Sequence, residues 1–310
     1  MKIRKWDGKS VKMPGIIANM ILAFYHSAEA AIEPSISSSG LRKIIKDSLK
    51  HYFANSPYNP NRTDDEETET LILGRATHHL LFGQENFRKE FVIRPVTVNG
   101  ESWHSNKTIC KAWLRQAEGE GLTVITQAQL DSITGMAEAL AKEPLVKAGI
   151  LNGQIEHSWF WKDKETGVWC KARPDASPND SLDFADLKIT RSTAWIDMQR
   201  SIRDYAYHQQ GALIGEACQE VLHQQMNSFS LVFIEHKYPH DIAVVTIKDD
   251  DLARGHKMNV IARRQFADCL KSGHWPGRAG DKQDARYIDL PDYDRTRIDE
   301  RIKLELGEKQ

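Results

Sequence analysis

Between residues 154 and 190 apolar and polar positions alternate in short runs, and the alternation predicts three strands, over 155–161, 168–175 and 182–190. The turn-rich segments KDKETG and ASPNDS separate them. Side chains change face at every residue of a strand, so Asp186 and Lys188 share one face while Leu187 and Ile189 enter the opposite layer. A second acid, Asp175, closes the middle strand directly after Pro174. The pattern is P-D, a spacer, then D-x-K.

Elsewhere the period lengthens to that of a helix. In SISSSGLRKIIKDSLKHYF, Leu41, Ile44, Ile45, Leu49 and Phe53 fall at helical spacing behind a serine cap at Ser38 or Ser39. Residues 70–82 predict a buried helix with Leu73, Thr77, Leu80 and Leu81 near one face, Gly74 admitting a close neighbour, and His78 and His79 on its surface. Packing helices are expected over 107–118 and 126–142, and a longer helical region over 193–222 aligns Tyr207, Gln210 and Ile214. Two strands, 229–235 and 242–247, flank HKYPHD, and an amphipathic helix over 249–270 stops before Gly273. The resulting order, helix, three strands, helix, two strands, helix, is an α/β layout: a mixed central sheet flanked by helices. One domain spanning 1–310 is expected, with an N-terminal arm over 1–34, a mobile acidic loop over 57–69 and a polar tail over 275–310 packed on the surface.

Composition narrows the classes. The chain of 310 residues is 40% hydrophobic, enough for a sizeable core. No apolar run nears the roughly eighteen residues of a membrane span, and no secretory layout opens the chain, so a cytoplasmic protein is expected. Cys110, Cys170, Cys218 and Cys269 are too scattered for a zinc ribbon or a disulfide framework. A net charge of −1 excludes a general polycation, so any polyanion must meet a local patch or a metal.

Two carboxylates at the ends of neighbouring strands make a hard-oxygen site suited to Mg²⁺ or Mn²⁺ rather than zinc. The nearby lysine cannot ligate while charged, but it can position a metal-bound water and hold charge on a phosphate. The same residues also read as an ion pair at a sheet edge. His78 alone reads more readily as a satisfied core imidazole than as a ligand. The helix start at Ser37, Ser38 and Ser39, with Arg42, offers amides and partial positive charge to a phosphate, or plain capping.

The blocks G-R-A-T-H (Gly74 to His78), I-E-H-S-W-F-W (Ile155 to Trp161), A-R-P-D (Ala172 to Asp175), D-L-K-I-T (Asp186 to Thr190) and Y-A-Y-H-Q-Q (Tyr205 to Gln210) resemble, in order and spacing, the RecE-type exonucleases. These belong to the PD-(D/E)xK superfamily with lambda exonuclease and the RecB nuclease domain. MPGIIANM, ISSSGL and the WPG of 275–277 are similar too, so the resemblance covers most of the chain. It implies an α-β-β-β-α-β core and a Mg²⁺-dependent exonuclease, with Mn²⁺ as substitute. Such an enzyme digests the 5′ strand from double-stranded DNA ends and leaves 3′ overhangs for a RecT-like single-strand annealing protein, in phage-type recombination. A homo-oligomeric ring is implied, a tetramer rather than a trimer, with no membrane partner. By residue, His78, Asp175 and Asp186 match the metal ligands, with the Leu187 carbonyl as a further one. Lys188 matches the catalytic lysine, Glu156 an acidic position behind the ligands, and Gln210 the glutamine of Q-x-x-x-Y. The tyrosine of that motif is Ile214 here, which leaves Tyr205 or Tyr207 to contact DNA. Ser37, Ser38 and Ser39 with Arg42 are the candidates to grip the 5′ phosphate. Cas4-like members carry an iron–sulfur cluster on cysteines grouped near the C-terminus, and this chain has no such group, so no cluster is expected. The alternatives are another nuclease of the superfamily, an endonuclease or Cas4-like enzyme, and a non-catalytic DNA-binding relative.

Overall fold

A computed structural model describes residues 3–62, 69–81, 87–280, 285 and 287–307. Residues 63–68 of the expected acidic loop, the end of the expected helix at Phe82, and the side chains of His79, Leu80 and Leu81 lie outside the described residues.

The strands β1 (Arg4–Lys5) and β2 (Gly15–Ala18) lead through α1 (Leu22–His26) to β3 (Ser35–Ser37), which runs straight into α2 (Ser38–Lys46) and then α3 (Leu49–Ala54). A second layer follows: α4 (Glu69–Leu81), α5 (Phe87–Glu90), β4 (Phe91–Ile93), the hairpin β5 (Thr97–Val98) and β6 (Glu101–Ser102), α6 (Thr108–Gly119), β7 (Thr123–Ile125), α7 (Gln127–Leu140) and α8 (Pro144–Lys147). The central stretch gives β8 (Gln154–Ile155), β9 (Ser158–Lys162), β10 (Trp169–Ala172), β11 (Ala176–Ser177) and β12 (Asp183–Thr190). The chain continues as α9 (Trp195–Asp204), α10 (Tyr207–Ala217), β13 (Ser228–Glu235), β14 (Ile242–Thr246), α11 (Asp249–Ser272) and α12 (Asp292–Leu306).

The result is mixed α/β, as expected, with eight strands shared between a five-stranded sheet, β1-β2-β9-β10-β3, and a three-stranded sheet, β12-β13-β14, and the others in the two-stranded pairs β8-β11, β4-β7 and β5-β6. Both mix parallel and antiparallel pairs. One core, with Trp161, Phe184, Phe229 and Phe266, fills the space between the sheets and α2, α10 and α11. Another, with Ile133, Met136, Leu187 and Val232, lies between the other face of the three-stranded sheet and α4 and α7. α11 lies tightly on α10: a Cβ at Gly255 would stand 2.4 Å from the His208 carbonyl oxygen. The four cysteines are free and buried.

Three expectations need correction. The first two predicted strands each break, because Glu156 is left-handed (φ 49°) and its N–H donates to the Asp175 carbonyl at 3.0 Å. The breaks face one another, and the ends pair separately as β8 and β11. The helix expected from Ser38 to Phe53 is two: Ser37, not Ser38 or Ser39, caps α2, and Ser48 caps a fresh start at α3 by accepting the His51 N–H. Gly74 admits no close neighbour, since a Cβ there would meet nothing within 4 Å among the described residues; Ala76 and Thr77 make the packing face instead.

Candidate active site

β12 sets the geometry. Its alternation sends Ala185 and Leu187 into the core beneath α4 and α7, and Phe184 into the core shared with α10. Asp186 and Lys188 follow Phe184, so a strand otherwise buried on both faces presents an acid and a base to α10. There Asp186 accepts a 2.7 Å hydrogen bond from Gln210 Nε2 through Oδ1 and pairs with Lys188 through Oδ2. Lys188 Nζ also donates to Gln210 Oε1 at 3.2 Å and stands 4.4 Å from the centroid of the Tyr207 ring. Three polar side chains thus close a ring of hydrogen bonds around a carboxylate that is 2% exposed, which its burial demands.

Asp175 joins from the break before β11. Its Oδ2 accepts the Leu187 N–H at 2.9 Å, and its Oδ1 lies 3.6 Å from His78 Nδ1 on α4. Burial pushes the Asp175 carboxyl up to about 6, and the nearby Asp186 carboxylate pushes the same way; His78 and Lys188 only partly oppose them. Two carboxylates with too little positive charge between them suit a cation. Among the described residues no three His, Cys, Asp or Glu side chains enclose a metal by themselves.

Glu156, expected on a strand, sits instead at the left-handed break and pairs with Arg173 at 2.9 Å. Arg173 also donates to the Met20 carbonyl at 2.8 Å and to Ser158 Oγ at 3.1 Å. Ile214 is buried in the core, so the helix face where the motif tyrosine was sought points inward, and Tyr207 stands beside the lysine.

Ser37, Ser38, Ser39 and Arg42 meet the acids in one cleft of about 240 Å³, whose walls include Glu156, Asp175 and Gln210. Ser37 Oγ bonds Ser39 Oγ at 2.9 Å, while the buried Ser38 Oγ has no partner. Arg42 Nη1 donates to the Tyr205 carbonyl at 2.7 Å, fastening α2 to the junction of α9 and α10. A neighbouring cavity of about 310 Å³ shares His26, Ser37 and Ser39 and adds Lys43, Arg62 and Lys171, with no carboxylate in its wall among the described residues. Lys171 is 3% exposed; its Nζ donates to the Tyr25 carbonyl at 2.6 Å, and burial pushes it down to about 7. Burial, then Lys171 and Arg173, hold His26 down to about 4, so it is neutral. Sequence reasoning missed His26, Lys171 and Arg173. The signal for Lys171 was a charge inside the apolar strand WCKA, opposite β3 and its serines.

Residues 37–287 match the model of a family described as a PDDEXK-like domain of unknown function (DUF3799). A solved structure of a candidate exonuclease from Eubacterium rectale is similar at a TM-score of 0.58 and 14% identity, covering 90% of this chain and 98% of that one. A phage-related exonuclease from Haemophilus somnus is similar at a TM-score of 0.32 and 13% identity, covering 77% of this chain and 96% of its own. No curated protein sequence matches the chain. With the family model spanning most of its length, this chain belongs to the family of PDDEXK-like domains.

Proposed function

We propose that the protein is a RecE-like, metal-dependent exonuclease that hydrolyses the 5′-ended strand at double-stranded DNA ends and leaves 3′ overhangs. The observation that carries this reading is one cleft lined by Asp175, Gln210 and the serine-rich start of α2, with Asp186 and Lys188 hydrogen-bonded to that same Gln210. His78, Asp175 and Asp186, with the Leu187 carbonyl, would hold Mg²⁺ or Mn²⁺. When bound, that ion supplies polarisation of the phosphate and a lower pKa for the attacking water. The chain's own groups do the rest. Gln210 fixes Asp186, and the Leu187 N–H fixes one Asp175 oxygen, so the carboxylates are held before substrate arrives. Lys188 orients the attacking water and balances charge gathering on the phosphate oxygens. Ser37, Ser39 and Arg42 receive the terminal phosphate, with Lys171 behind them.

The resemblance to RecE-type enzymes supports a homo-oligomeric ring, a tetramer rather than a trimer, and a net charge of −1 is compatible with it because only the lumen need be basic. The overhang would pass to a RecT-like annealing protein in the cytoplasm. No helix among the described residues is long and apolar enough to cross a membrane.

Digestion of duplexes labelled at either end, with and without a 5′ phosphate, tests the reading. The expected result is Mg²⁺-dependent loss of the 5′-phosphorylated strand from its 5′ end, none in EDTA, and intact closed circular DNA. Cleavage of the closed circle would make the enzyme an endonuclease, and absence of any hydrolysis a binding protein.

A further inference from the structure

A second, larger depression lies beside the catalytic lysine and shares no wall residue with the phosphate cleft. Its volume is about 820 Å³, and its walls include Lys46, Arg191, Arg200, Tyr205, Tyr207 and Phe233. The aromatic rings form a staircase. Tyr207 packs on Phe233 with centroids 6.3 Å apart, and Tyr205 stacks on Tyr207 at 5.6 Å with 20° between planes. Tyr205 is 57% exposed, although an exposed aromatic ring on a helix junction contributes little to folding. Lys46 Nζ stands 5.6 Å from the centroid of its ring. The acids of the groove are engaged: Asp197 pairs with Arg200 at 3.3 Å and Asp204 with Arg203 at 2.8 Å. Arg191 has no ion-pair partner among the described residues, so the groove keeps positive charge.

We propose that this groove binds the unpaired 3′ strand that hydrolysis of the 5′ strand leaves behind, with a base stacked on Tyr205 and phosphates on Lys46, Arg191 and Arg200. The proposal rests on the exonuclease reading above. Exposed aromatic faces ringed by cations are the chemistry of single-stranded nucleic acid, because a stacking platform accepts any base. A duplex hides its base faces, so the platform serves only an unpaired strand. The placement also fits. The α2 helix begins at Ser38 of the phosphate cleft and ends eight residues later at Lys46, a rise of roughly 12 Å, so one DNA end can engage both sites. The Tyr207 ring carries Lys188 Nζ, so the staircase starts at the reaction centre.

The test is binding in EDTA of two fluorescent duplexes, one blunt and one with a 3′ single-stranded extension, to the wild-type protein and to Tyr205→Ala and Tyr205→Trp. The wild type should prefer the extended duplex, Tyr205→Ala should lose about tenfold of that preference, and Tyr205→Trp should keep it. An unchanged preference in Tyr205→Ala, or none in the wild type, overturns the proposal. Parallel digestion with Mg²⁺ separates the two failures. A wild type that digests ends without the preference sinks only this groove. A preference that depends on Tyr205 in a protein that digests nothing sinks only the exonuclease reading.

Discussion

The two ends of the cleft satisfy their buried charges in opposite ways. At the β12 end the charged groups answer one another: Asp186 is held by Lys188 and Gln210, and Asp175 faces His78. At the α2 end Lys171 and Arg42 bond backbone carbonyl oxygens, which satisfy hydrogen bonds without cancelling charge. Arg173 is intermediate, with Glu156 on one side and the Met20 carbonyl on the other. The contrast divides the labour: the acid end has negative charge in search of a cation, and the serine end has positive charge in search of an anion. On the proposed reading, a DNA terminus with its metal would provide both.

Breaking the acid end should have the largest effect. Lys188→Ala or Asp186→Ala should lower hydrolysis of linear duplex by at least ~10²-fold with unchanged circular dichroism, by analogy with removal of one preorganised charge-stabilising group. Full activity in Lys188→Ala would remove the acid end from the mechanism. Lys171→Met probes the other end, and its two readouts should move in opposite directions. Loss of a charge-assisted contact should weaken discrimination for a 5′ phosphate by about tenfold. The unfolded lysine binds its proton up to the usual range, whereas the folded one releases it near 7, so wild-type stability should climb as pH rises from about 7 toward 10. Lys171→Met should be more stable than wild type at neutral pH and lack that climb in thermal melts.

A smaller effect concerns Asp175. Its folded carboxyl keeps a proton up to about 6 while the unfolded one has already lost it, so stability without metal should fall as pH rises between about 4 and 6. Asp175→Asn should flatten that slope. Calorimetric Mg²⁺ binding should strengthen over the same interval, because ligation needs the proton gone. The smallest effect is Ser37→Ala, which removes the cap of α2 and should cost about 1 kcal/mol in denaturant melts.

Much of this arrangement was legible in the chain. Period-two alternation placed Asp186 and Lys188 on one face, because a strand leaves side chains no other choice. Helical spacing found α4, α7 and α11 to within a few residues. What escaped were the points where the backbone leaves its period. Glu156 and Ala206 adopt left-handed conformations that their residue types do not announce, and Ser48 restarts a helix whose apolar spacing runs on undisturbed. Lys171 escaped for another reason. A lysine within an apolar strand reads as a surface residue until Tyr25 of α1, more than a hundred residues away in the chain, packs over it.

The left-handed residue between α9 and α10 carries one more consequence. Ala206 (φ 50°) sets the rotational phase of α10 about its own axis, since each added helical residue turns the next by about 100°. Tyr207 and Gln210 reach Lys188 at a single setting of that phase. One residue inserted or deleted at this joint would leave both helices their length and composition, yet swing the glutamine a quarter-turn or more away from β12. Length there is therefore as constrained as identity, and sequences sharing this site should exchange Ala206 for residues that tolerate a left-handed backbone, such as Gly, Asn or Asp, before they vary in the count between Lys188 and Gln210.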